Sequence, residues 1–184
     1  MSTLVLLLFT GLGLGALYFL VAAGLSLIYG LMGVLNFAHG AFLTLGAFTG
    51  WEIARRTGSD NWGTFLLSLV IGAAAGAAFA AFTEFVLIRR LYQRHIEQVL
   101  VTVGLSLAAV ALFDGIWGTD PVFIKGPAWF KDTTEILGAR IPNDRFICII
   151  AAGLVLLALV FFLKKTRYGM IIRAGVENRS MVTA

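Results

Sequence analysis

Residues 11–48 read GLGLGALYFLVAAGLSLIYGLMGVLNFAHGAFLTLGAF, and no formally charged residue occurs before Glu52. A stretch this long and apolar exceeds the ~20 residues that carry a helix across a bilayer. In its middle stand an amide, Asn36, and an imidazole, His39, three residues apart, with Gly30, Gly33 and Gly40 around them. At this spacing both side chains share one face of a continuous helix. If the glycines interrupt the helix instead, the freed backbone groups must be satisfied inside protein or along a cavity. Transporters use such breaks to handle ions and solutes. A third reading makes 31–39 an interfacial turn, with Asn36 capping the next helix. The sequence leaves all three open.

The rest of the chain has the same character. Of its 184 residues, 59% are hydrophobic and 13% charged, against about 25% charged in an ordinary soluble domain. Apolar runs at about 4–29, 35–53, 62–88, 99–117 and 145–163 predict an all-α, polytopic transmembrane helix bundle of about five spans. The second span is a candidate for a break. Residues 1–10 lack the basic start of a signal peptide, and the apolar run continues past the usual length, so the first span is expected to be retained.

Charge orients the spans. Residues 89–98 carry three arginines and one glutamate, and residues 164–184 carry five basic residues and one glutamate. Both segments are expected on the cytoplasmic side. The connection 118–143 holds all three prolines with three basic and three acidic residues, and is expected outside. Counting back puts 55–61 and the N-terminus outside, although Arg55 and Arg56 run against that assignment. The net charge of +4 thus reads as topology, with membrane lipid as the surroundings and no nucleic acid implied.

Glycines are spread through the spans. Gly11 and Gly15 stand four apart on one helical face, as do Gly72 and Gly76, with Ala73/Ala77 and Ala74/Ala78 beside the latter pair. Small residues let membrane helices approach closely, so these four glycines are candidate helix-packing positions. Glu84 is placed to pair with Arg89 at the inner end of the third span, and Asp114 lies near the outer end of the fourth. Both read as interfacial.

Enzymatic chemistry is not implied. There is no phosphate-binding glycine–lysine loop and no serine in a nucleophile elbow. His39 and His95 are the only histidines and Cys148 the only cysteine, so no metal site, disulfide or cofactor is expected.

The pieces GALY (15–18), GLSLIYG (24–30) and GVLNFAHG (33–40), joined much later in the chain by TRYGMIIRAGVENRSMVTA (166–184), resemble the inner-membrane permeases of branched-chain amino acid ABC importers. Within that family the likeness is to the LivH kind rather than its LivM partner. The resemblance implies a multi-pass subunit of the bacterial inner membrane that passes a hydrophobic amino acid inward. It implies a second, LivM-like permease subunit, two cytoplasmic ATP-binding subunits and an extracytoplasmic substrate-binding protein. It places Gly33, Asn36, His39 and Gly40 in the family's signature, either on the translocation path or holding the junction's fold. It also makes 164–184 the start of a cytoplasmic ATPase-facing loop, with Arg173, Ala174 and Glu177 at or near the contact. The whole chain, 1–184, corresponds to the N-terminal part of such a permease domain, further spans being expected beyond Ala184. Two rival readings are a passive channel, for which an ATPase-docking tail has no purpose, and a nonfunctional fragment. An in-frame continuation past Ala184 in the genomic DNA, beside ATPase and binding-protein genes, would argue against the fragment.

Overall fold

The computed structural model describes residues 2–32, 36–58, 60–92, 94–124, 126–166 and Gly169. Its helices are α1 (Ser2–Met32), α2 (His39–Thr57), α3 (Trp62–Val86), α4 (His95–Trp117) and α5 (Asn143–Lys165). Two short strands, β1 (Thr133–Ile136) and β2 (Ala139–Pro142), lie between α4 and α5. Among the described residues four helices, α1, α3, α4 and α5, are long and apolar enough to cross a membrane. The protein is therefore an all-α membrane bundle, with four helices rather than five meeting that standard. The fifth helix, α2, falls short because Glu52, Arg55 and Arg56 occupy its last turns. It is also continuous: the interruption considered for the second span lies ahead of it, in the turn at 36–38.

The chain forms two compact units, residues 34–129 and residues 1–33 with 130–184. In the 34–129 unit, α2 and α3 run antiparallel with backbones nearly touching. A Cβ on Gly72 would stand 2.5 Å from the Gly46 carbonyl oxygen and 3.2 Å from Gly50 Cα. One on Gly46 would stand 2.9 Å from the Gly72 oxygen, and one on Gly76 would stand 2.8 Å from the Phe42 oxygen. Only glycine fits such an approach, which in a membrane brings packing and interhelical contact where no water-driven force acts. One turn further along, the Phe42 and Phe79 rings meet edge to face at 5.5 Å. Across α2, α4 contributes Ala109 and Phe113 to a buried cluster with Ala41. The Phe48 and Trp117 rings stack beside it at 5.0 Å. At the start of α3, the Asn61 side chain accepts a hydrogen bond from Gly63 N at 3.3 Å, the usual satisfaction of a free helix-end donor.

In the other unit α1 packs along α5 and against β2. The Phe9 and Phe146 rings lie 5.3 Å apart. The close approach on α1 falls on Gly13, where a Cβ would come 2.8 Å from Arg145 Cδ. Gly11 and Gly15, the pair singled out from spacing, have no atom within 4 Å of a would-be Cβ. They instead line an open apolar groove of 370 Å³ shared with Ile149, Ala152 and Gly153 of α5. The hairpin pairs Glu135 with Arg140 and turns through Leu137 and Gly138 at φ 52° and 76°. Two positive φ values match the primed turn that fits strand twist. Ala139 and Ile141 are buried, and Thr134 Oγ1 donates to Asn143 Oδ1 at 2.6 Å.

Most large apolar side chains of α1 and α5 point outward, among them Leu4, Leu7, Leu154, Leu157 and Phe161. In water such a surface would drive association. Lipid tails cover it without cost.

Candidate functional site

The residues flagged at 36–40 form the entry to α2. The Asn36 side chain is buried and its Oδ1 accepts a hydrogen bond from Ala38 N at 3.0 Å, while its carbonyl accepts from His39 N at 3.2 Å. An amide oxygen bonding the backbone two residues on is an Asx turn, which reverses the chain ahead of a helix. The N-cap residue proper is Ala38, which is fully buried and supplies no side-chain cap. Asn36 therefore shapes the approach to α2 from two residues ahead of the N-cap.

A second fastening comes from α4. Phe37 N donates to Thr102 Oγ1 at 3.4 Å, and that hydroxyl donates to the Val99 carbonyl at 3.0 Å. Thr102 is fully buried, and Gln98, one turn earlier, is 3% exposed with its Oε1 unpartnered among the described residues. Thr83 of α3, one turn beyond Phe79, is likewise buried with an unpartnered hydroxyl among those residues. His39 begins α2 half-buried, and its Nε2 has no partner among the described residues. Buried polar atoms are ordinarily paired with protein or ordered water, so this end of the unit holds hydrogen-bonding capacity that its described residues do not use. A Cβ on Gly40 would meet no atom within 4 Å.

The signals for Thr83, Gln98 and Thr102 are present in the sequence as hydroxyls and an amide inside apolar helices. Sequence reasoning passes over them because such groups can also satisfy themselves within a helix, as Thr102 partly does. Gly33, Arg173, Ala174 and Glu177 lie outside the described residues.

The basic turn after α3 completes this end. Arg94 pairs with Glu97 at 3.0 Å. Arg89 lies 5.6 Å over the Phe85 ring rather than on Glu84. Glu84 instead accepts the Tyr92 hydroxyl, which pushes the Tyr92 pKa above its ordinary value because the neutral phenol is the better donor. At the opposite end of the unit, Glu52 bridges Arg55 at 2.8 Å and Arg56 at 2.6 Å. The two arginines that oppose the assigned topology are thus paired by a carboxylate of their own helix.

Comparison with known proteins places the chain in a family. A family model described as "Branched-chain amino acid transport system / permease component" matches residues 7–184. The chain is 25% identical over 183 residues to the high-affinity branched-chain amino acid transport system permease protein LivH of Salmonella typhimurium, covering 95% of this chain and 59% of that one. Identity and coverage are the same for LivH of Escherichia coli K12. The corresponding permease protein BraD of Pseudomonas aeruginosa is 26% identical over 184 residues, covering 93% of this chain and 58% of that one. The chain thus spans about three-fifths of the length of these relatives. No solved structure matches. With the family model matching all but its first six residues, and apolar helices of membrane-crossing length beneath that match, the chain belongs to the permease component family of branched-chain amino acid transport systems.

Proposed function

We propose that this chain forms part of the translocation path of an ATP-driven importer of branched-chain amino acids in the bacterial inner membrane. In this reading it hydrolyses nothing itself. Two cytoplasmic ATP-binding subunits supply the energy, a LivM-like subunit supplies the other half of the path, and an extracytoplasmic binding protein delivers the solute. The observation that carries the reading is the alignment with LivH and BraD along nearly the whole chain. The segment 164–184 faces the ATPase, with Arg173, Ala174 and Glu177 at or near the contact. Gly33, Asn36, His39 and Gly40 belong to the family's signature, on the translocation path or holding the fold of the junction before α2. The Asx turn at Asn36 and its tie to Thr102 support a positioning role there rather than direct solute contact.

Deletion of the gene containing this sequence from its host tests the substrate class. Uptake of radiolabelled leucine, isoleucine and valine is expected to fall several-fold together and to return on re-expression. Unchanged uptake of all three, with loss of a chemically unrelated solute, contradicts the proposal.

A further inference from the structure

A cleft of 590 Å³ opens at the end of the 34–129 unit opposite Arg89, Arg90 and Arg94. Trp51 and Arg55 of α2 form one wall, Asp60 of the adjoining turn another, and Phe123 and Ile124 a third. Because the arginine-rich end belongs to the cytoplasm under the charge rule, the cleft faces the side from which an importer receives its solute.

The lining combines a cation, an anion and apolar surface. Arg55 donates to Glu52 through Nε at 3.0 Å and Nη2 at 2.8 Å. Its Nη1 has no acceptor among the described residues, and the side chain is 59% exposed. The guanidinium also rests 5.5 Å from the Trp51 ring centroid, so it is held in place from two sides. Asp60 is exposed and has no hydrogen-bond or ion-pair partner among the described residues. Phe123 is 82% exposed, which leaves its ring open to a ligand.

We infer that this cleft binds a free amino acid with an aliphatic side chain. Its carboxylate would meet Arg55 Nη1, its ammonium would meet Asp60, and its side chain would lie against Trp51, Phe123 and Ile124. Apolar walls with a few convergent polar groups are the usual composition of a small-molecule site, and charge-assisted hydrogen bonds supply the orientation. A simple anion would leave Asp60 without a partner, and a simple cation would leave Arg55 Nη1 without one. A zwitterion satisfies both. The inference rests on the proposed permease function and assigns it a receiving site.

The test is equilibrium binding of radiolabelled L-leucine to the full chain in lipid nanodiscs, with two competitors. One is 4-methylpentanoate, which lacks the amine. The other is 3-methylbutylamine, which lacks the carboxylate. Saturable leucine binding that neither competitor displaces efficiently is the expected result. Asp60→Asn should weaken leucine by about tenfold or more, the loss expected for a hydrogen bond to a charged group, and should narrow its advantage over 4-methylpentanoate. Arg55→Gln should weaken leucine similarly and narrow its advantage over 3-methylbutylamine. Leu107→Ala, at an exposed position of α4 outside the cleft lining, controls for the fold and should retain binding. Absence of leucine binding by the parent protein, or equal binding by the parent, Asp60→Asn and Arg55→Gln, overturns the inference. The two proposals separate in cells: uptake lost on gene deletion but normal in both cleft variants overturns the cleft alone. Leucine held by the cleft, with uptake indifferent to gene deletion, overturns the permease reading alone.

Discussion

Replacing Gly72 with leucine should nearly abolish the folded protein in membranes, while the same change at Gly104 leaves it close to the parent level. The Cβ of any residue at 72 would stand 2.5 Å from the Gly46 carbonyl oxygen and 3.2 Å from Gly50 N and Cα, all of them backbone atoms. A flexible side chain can rotate away from such a clash; a helix backbone cannot. The two helices must separate, and the approaches at Gly46, Gly50 and Gly76 loosen with them. Overpacking by added methylenes alone costs about 1–3 kcal/mol, and separation of α2 from α3 adds the loss of their contact surface. Gly104 has no atom within 4 Å of its would-be Cβ, so leucine there adds only apolar surface. Immunoblots of membrane fractions and thermal unfolding in detergent read the difference. Equal stability of the two variants would place the α2–α3 contact elsewhere.

The next largest effect belongs to the turn before α2. Asn36→Ala removes the oxygen that accepts Ala38 N, and Thr102→Val removes the acceptor of Phe37 N while keeping the side chain's shape. Each leaves a backbone N–H unpaired in buried or half-buried surroundings, at roughly 1–3 kcal/mol apiece. Because both bonds fasten the same three residues, the double variant should lose less than the sum of the singles. Coupled uptake should fall before membrane accumulation does, since the turn positions α2 rather than building the bundle. Chemical-denaturant titrations of the singles and the double measure the coupling. Additive losses would show that the two bonds act on separate elements.

The membrane class is legible from composition and from the uncharged run before Glu52, because a bilayer leaves helices as the simplest way to satisfy the backbone of an apolar chain. The pairing of helices is not. Two glycines four apart occur in both α1 and α3, yet Gly72 and Gly76 meet the backbone of α2 while Gly11 and Gly15 border an open groove. Spacing reports a smooth face but not what lies opposite it, and single Gly13, without a partner at four residues that contacts anything, makes the close approach to Arg145. The hairpin at 133–142 is equally hidden. Its turn uses Leu137 and Gly138, and leucine at positive φ is not a turn signal that sequence rules anticipate. Of the candidate site, Asn36 and His39 stand out as polar groups in an apolar run. Thr102, which accepts the Phe37 N–H from 65 residues away, is a long-range partner that local reasoning does not reach.

In the proposed mechanism, solute passes this permease only when separate subunits hydrolyse ATP. The direct measurement uses the permease with the proposed second membrane subunit, ATP-binding subunits and binding protein in sealed proteoliposomes. Accumulation of labelled leucine against its gradient is recorded with ATP or with a non-hydrolysable analogue on the ATPase side. Uptake with ATP and only background with the analogue is the expected result. Leucine flux that is equal under both conditions and stops at equilibration would identify a passive channel and contradict the claim.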